Sequence, residues 1–440
     1  MHTVRRRPVV AAVAAAAAAM LALSACSAEG GARATPASTT EKITLSFSWW
    51  GNDARTAATK KVIDLFEAEH PNITIEPTFT DFGSYWDKLA TETAAKDAPD
   101  IIQMDEKYIA TYGAQGALAD LTAADSRVDT TGISKNNLNL GTVDGTLYGV
   151  PVAVNSYAIV VNKTLLKTAG VAIPDDKTWT WDDLAAIAKK VSDAGAGAYY
   201  GLQALGFNDS DLIVWARQHG DKLYDDKGKL AVKEKTLTDW WTYLKSLTDS
   251  GATPSASASV EKQNAGLSAS FAATNKAAFS PWWNNQLTAL TQASGSDLAL
   301  LRLPTTDGKG GKTAYEKASM YWTISSRSAH PVEAAEFVDF LLHDSAAADV
   351  LLTERGVPAN EKVRKDIQPK LTPTDKAASD FLAAIAPNVG TPPVTTPPGG
   401  SAIQTELMNQ TQQVLFGQET PDQAAKAFIK NMKAALSDAQ

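Results

Sequence analysis

From Ile43 to Trp49 apolar and polar residues alternate, the period of a strand with one buried face, and the run stops at Gly51-Asn52-Asp53. Asp53 can cap the helix that follows, Arg55 to Glu69, in which Ala58, Val62, Leu65 and Phe66 share one face. Pro71-Asn72 ends that helix, and Ile73-Thr74-Ile75 opens a second strand. A further helical stretch from Tyr85 to Ala95 leads through Ala98-Pro99-Asp100 into Ile101-Ile102-Gln103-Met104-Asp105. This β-α-β-α-β rhythm is that of a parallel sheet covered by helices, and it sets the fold class as α/β.

The pattern then changes. Thr142 to Tyr148 reads as a hairpin turning at Asp144-Gly145, Gly149 to Val152 as a crossing strand, and Asn155 to Val161 as an alternating strand. Thr180-Trp181-Asp182-Asp183 has the spacing of a capping box and opens a helix to Val191; Leu237 to Leu247 is again helical. Leu298 to Pro304 and Met320 to Ser325 read as strands. From Val332 onward the chain is mostly helix, interrupted by a rigid extended loop at Pro392-Pro393 and Pro397-Pro398.

The N-terminus follows a different logic. Arg5-Arg6-Arg7, an Ala/Val/Leu run to Leu23 and then Ser24-Ala25-Cys26 are the parts of a secretory signal. The ending resembles a bacterial lipobox, in which Cys26 is lipidated and becomes the first residue; the alternative is an ordinary signal cut elsewhere, with a buried thiol. Residues after the arginines fit a twin-arginine signal poorly, so the general secretory route is expected. Ser27 to Lys42 is small and polar, a flexible leash. The expected organisation is therefore a signal at 1–25 and a linker at 26–42, with the protein anchored to the outer face of the membrane.

Removal of the signal takes three arginines away and moves the net charge from −8 to −11. Such a chain repels phosphate backbones, which argues against nucleic acid as a partner. Cys26 is the sole cysteine, so no disulfide supports the core. Five dispersed histidines show no metal-ligand spacing, and there is no GxSxG elbow, Walker A sequence or EF-hand loop. No metal, cofactor or catalytic residue is assigned. A sugar-binding cleft asks for less: ring faces against the C–H face of a pyranose, and Asp, Asn, Glu or Arg for its hydroxyls. Eleven tryptophans, six of them in the adjacent pairs Trp49-Trp50, Trp240-Trp241 and Trp282-Trp283, supply such rings. On a strand the two members of a pair point to opposite faces.

Eight blocks in order carry a resemblance. They include Ser48-Trp49-Trp50-Gly51, Ala98-Pro99-Asp100-Ile101-Ile102, Tyr112 to Leu118, and Tyr148-Gly149-Val150-Pro151 with Val161-Asn162-Lys163. Thr178 to Leu184, Ala277-Ala278-Phe279 before Pro281-Trp282, Glu333 to Phe337, and Arg355 to Ala359 complete them. From Ile43 to the C-terminus the chain resembles the extracellular solute-binding proteins of ABC carbohydrate importers, the family that includes maltose-binding protein. That resemblance implies a two-lobe, periplasmic-binding-protein-like (Venus-flytrap) α/β fold, each lobe a mostly parallel sheet flanked by helices. Three hinge crossings are expected near Val150-Pro151, Ala299 and Asp344. Lobe one would hold 43–150 and 299–345, and lobe two 151–298 and 346–440.

The resemblance also implies a monomer that closes on a mono- or oligosaccharide and delivers it to the permease subunits. Trp282, after Pro281, is the expected stacking ring, with Trp283 beside it. Trp49, Trp50 and Asp53 end the first strand, Asp105 ends another, and Asn155 and Tyr157 share a strand face near the hinge. Tyr321, Trp322, Trp215 and Glu354 complete the expected ligand-binding set. Met104, before Asp105, replaces an aromatic ring present in some relatives. Two other readings compete: capture of a cation such as a polyamine, favoured by carboxylates facing one another across a cleft, and a secreted glycoside hydrolase.

Overall fold

The computed structural model describes residues 41–51, 53–263, 266–311 and 314–439. The expected signal, Cys26 and the linker up to residue 40 lie outside the described residues. Two sheets organise the rest. The first has the order β2-β1-β3-β12-β6, with β1 (Ile43–Trp50), β2 (Ile73–Thr80) and β3 (Ile101–Met104) parallel. β12 (Tyr321–Ile324) runs antiparallel between β3 and the short β6 (Val150–Pro151). The alternating pattern of β1 puts Leu45, Phe47 and Trp49 on the face that packs on Val62, Phe66 and Phe337. The predicted hairpin is β4 (Thr142–Val143) and β5 (Thr146–Leu147), and Asp144 and Gly145 both have positive φ, as a two-residue turn of this hand requires.

The second sheet is built around β7 (Ala153–Asn162), which is buried along its whole length. β10 (Leu298–Leu301) and β9 (Ala277–Trp283) flank it antiparallel, β8 (Tyr200–Leu202) joins β9 in parallel, and β11 (Glu316–Ala318) and β13 (Val357–Pro358) pair with its first residues. The pairing is thus more antiparallel than the expected parallel sheet. β7 enters directly from β6 rather than through a helical crossover, and β10, β11 and β13 all return along it.

These pairings correct two of the expected crossings. The chain does pass from the first sheet to the second between Pro151 and Ala153. It does not return near Ala299, because Ala299 pairs with Val161 inside the second sheet. The return falls between β11 and β12, across Ser319-Met320. Nor does the last crossing fall at Asp344, which caps the helix Ser345–Leu351. That helix packs on Asp53–Glu69, and Glu361 at the start of the next helix bonds back to Gly132, so both remain with the first lobe. Pro373–Ile385 is the first following helix to pack on β10. One apolar core fills the first lobe and continues to Val154, Ala158 and Phe381 across the junction, a second fills the other lobe, and a smaller cluster around Val160 and Leu290 packs separately. Among the described residues no helix is long and apolar enough to cross a membrane.

Candidate ligand cleft

A cleft of about 530 Å³ opens between the lobes. The first lobe contributes Glu106, just past the carboxyl end of β3, with Leu140 and Tyr321. The second contributes Asp209, Ser210 and Arg217 from the helix Asp209–Gln218, Tyr224, and Tyr315 and Lys317 at β11. A strap from Gly390 to Thr396 forms a further wall. Asn208 caps that helix through its side chain and so fixes Asp209 and Ser210 at the rim. The strap is held before its start by the Ala314–Val389 bridge and beyond its end by the Tyr224 hydroxyl, which donates to the Gly400 carbonyl at 3.1 Å.

Strand geometry decides which rings reach this region. Lys317 lies opposite Asn155 and Trp283 opposite Tyr157, so all four share one face of the second sheet. Trp283 contacts Tyr157 and Tyr315, with ring centroids at 5.1 and 6.1 Å, and the Lys317 ammonium lies 5.2 Å from its ring centre. Trp283 therefore backs the cleft wall. Trp282, one residue earlier, faces the other way and lines a separate cavity of about 270 Å³ with Gln203, Phe207 and Phe271.

Charge in the cleft is partly matched. Lys317 is ion-paired with Glu106. Burial opposes its charge, but Glu106, Asp105 and Asp209 outweigh burial and raise its pKa, so the ammonium stays protonated. Lys222 is bonded to Asp226. Arg217 has no carboxylate partner among the described residues: its guanidinium lies 5.6 Å from the Tyr315 ring centre and its Nε is buried without a hydrogen-bond acceptor. Burial lowers its pKa accordingly. Behind the cleft, the Tyr157 hydroxyl donates to Asp211 at 2.9 Å and the Gly206 N–H donates to the same carboxyl at 2.9 Å. Burial nevertheless pushes Asp211 up to about 7.

The structure divides the expected site residues. Tyr321 lines the cleft, its hydroxyl bonded to the Leu140 carbonyl at 2.9 Å. Asp105 adjoins Glu106 and accepts from the Lys107 N–H; Asn155, Tyr157 and Trp283 stand behind the lining. Trp50 and Asp53 lie at the carboxyl edge of the first sheet, outside the enclosed volume. Three expected site residues are core instead. Trp49 and Trp322 are fully buried with Phe47, and Trp215 packs among Trp181, Trp240 and Tyr243. Glu354 is bonded to Arg55 and Arg355 rather than turned to the cleft. Sequence reading missed Glu106, Asp209, Arg217, Tyr315 and Lys317. Pro392-Pro393 reads as a rigid loop, but nothing in its sequence marks it as facing a cleft.

With this geometry in place, comparison with known proteins is direct. The family model described as bacterial extracellular solute-binding protein matches residues 50–348. An extracellular solute-binding protein family 1 structure from Alicyclobacillus acidocaldarius is 33% identical, with 90% of this chain and 99% of that one covered and a TM-score of 0.71. A lactose-binding protein of Rhizobium radiobacter is 24% identical over 70% of this chain and 72% of its own. An uncharacterized lipoprotein of Streptomyces antibioticus is also 24% identical, over 74% and 72%. The chain belongs to the bacterial extracellular solute-binding proteins.

Proposed function

We propose that this protein captures a sugar between its lobes and hands it, chemically unchanged, to the permease of an ABC importer while tethered through a lipid on Cys26. The observation that carries the choice of ligand is the pairing of charges in the cleft. Once Lys317–Glu106 and Lys222–Asp226 are set aside, Asp209 and Glu316 remain as acceptors and Arg217, on the same helix as Asp209, as a set of donors. A neutral polyol serves both, since each hydroxyl donates to a carboxylate and accepts from a guanidinium. A polyamine would find Asp209 and Glu316 but would also meet Arg217 and the protonated Lys317, two cations that oppose its entry and that a neutral sugar can use as donors. The similarity to a lactose-binding protein and to a lipoprotein supports the cargo class and the tether.

A ligand touching Glu106 and Tyr321 on one side and Asp209, Arg217 and Tyr315 on the other stabilises the closed lobes selectively, and the permease reads that closure. Intrinsic tryptophan fluorescence tests the proposal, because Trp283 lies directly behind Tyr315 and Lys317. Residues 43–440 are titrated with mono- and oligosaccharides and with polyamines. A saturable response to one sugar series, with the sugar recovered intact, is the expected outcome. Silence to every sugar with a response to polyamines overturns it; hydrolysed sugar would instead reveal a glycosidase.

A further inference from the structure

The geometry points to an outer sugar subsite on the first lobe, centred on Phe82, and so to a saccharide that runs past the enclosed cleft rather than one that fits inside it. The inference rests on the sugar-binding reading and names its substrate class, an oligosaccharide.

A single exposed phenylalanine is ordinary. Phe82 is different because it is the open end of a continuous aromatic row. Asp81 caps the helix Phe82–Ala94 by accepting from the Ser84 N–H at 3.1 Å, which fixes Phe82 as the first residue of that helix. Its ring meets Trp50 at 5.4 Å and Trp86 at 5.8 Å, both nearly perpendicular, and 46% of the residue remains exposed. Trp86 in turn stacks on Tyr108 at 3.9 Å. Tyr108 is two residues beyond Glu106, which lines the cleft. Trp50, Phe82 and Tyr108 lie at or just past the carboxyl ends of β1, β2 and β3, so the row runs along the carboxyl edge of the first sheet, where α/β sheets take ligands.

The same edge carries polar groups suited to hydroxyls. Trp50 ends β1 just before Asp53, and Asp105 follows β3 on the adjacent strand. The Trp86 indole N–H is buried with no acceptor among the described residues, although the residue is only 8% exposed. A sugar ring resting its C–H face on Phe82 while Asp105 and Asp53 take hydroxyls completes this surface; a monosaccharide held at Glu106 and Arg217 leaves it unused.

Calorimetric titration of the wild type, Phe82→Ala and Phe82→Trp with glucose, maltose, maltotriose and maltotetraose, and with the matching galacto- and xylo-oligosaccharide series, tests the inference. In the series that binds, wild-type affinity should rise from the shortest binding member to the longest, and Phe82→Ala should remove about tenfold of that gain. Its affinity for the shortest member should stay within about twofold, and Phe82→Trp should retain the length dependence. Equal behaviour of Phe82→Ala and wild type at every length overturns the subsite, as does an equal loss at every length. If wild type binds no saccharide of any length, the sugar-binding reading itself falls and the subsite with it.

Discussion

Two arginines in this molecule sit over aromatic rings and differ in everything else. Arg355 lies 5.1 Å from the ring centre of Trp322, and each of its nitrogens is used: Nε donates to Gln103 at 3.1 Å, one terminal nitrogen to Glu354 at 3.2 Å, the other to Thr59 at 2.8 Å. Glu354 is itself held by Arg55 at 2.7 Å. Arg217 lies over Tyr315 with, among the described residues, no acceptor for its Nε and no carboxylate paired with it. A buried charge persists where its surroundings satisfy it or where function requires it. Arg355 is satisfied from within and clamps the segment after the helix Ser345–Leu351 to the first lobe. Arg217 is left for something the protein itself does not supply.

The contrast predicts opposite responses to truncation. Arg355→Ala should cost about 5 kcal/mol of stability, since it removes the donors to the buried oxygens of the Gln103 and Thr59 side chains and leaves Glu354 with Arg55 alone. Chemical denaturation reads this directly. A loss below about 1 kcal/mol would remove the idea that Arg355 is a clamp.

Asp211 stands between the two cases: Tyr157 and Gly206 donate to it, but among the described residues no cation is paired with it. Its folded-state pKa, about 7, lies above its ordinary value of 3.8, so the folded state holds the proton more tightly. Its contribution therefore favours folding below about pH 4 and is lost as pH rises to about 7, a decline of about 4 kcal/mol at most. Asp211→Asn should abolish that part of the pH dependence, so the variant gains on wild type between pH 4.5 and 7.5 when both are unfolded in urea. Parallel curves would mean that Asp211 is ionised throughout.

Arg217→Ala should leave stability unchanged or slightly raised, because a desolvated cation without a partner is removed. Sugar affinity should fall by about 30-fold, the worth of a charged hydrogen bond of about 2 kcal/mol. A stability loss comparable with that of Arg355→Ala, at unaltered affinity, would erase the distinction between the two arginines.

Much of this was legible from periodicity. The first three strands, the Asp144-Gly145 hairpin and the capping box at Thr180 come from local patterns that tertiary packing leaves intact. Partnership across the chain is not local, and there the reading failed. Ala299 looks the same whether its strand joins one sheet or the other, and only its pairing with Val161 decides. The tryptophan pairs teach the same lesson: sequence says that Trp282 and Trp283 face opposite ways, but not which one faces the cleft. Arg217 and Lys317 were invisible because an unpaired cation and a paired one share a spelling.

Gly356 gives the mildest test and connects the clamp to the hinge. It follows Arg355, its φ is +109°, and a Cβ there would lie 2.9 Å from Asn155 Oδ1 and 3.1 Å from Ala153 Cβ. Both neighbours belong to the start of β7, immediately after the first crossing. Gly356→Ala should cost about 1–2 kcal/mol through backbone strain and crowding. Its effect on sugar affinity should be modest, about threefold, because Asn155 stands behind the cleft wall rather than on it. The ratio of the two effects is what discriminates. Arg355→Ala spends itself on stability and Arg217→Ala on affinity, so a residue that joins clamp to hinge should move both by small and similar amounts. If Gly356→Ala shifts affinity alone, the segment from Glu354 to Gly356 belongs with the ligand wall, and the clamp ends at Arg355.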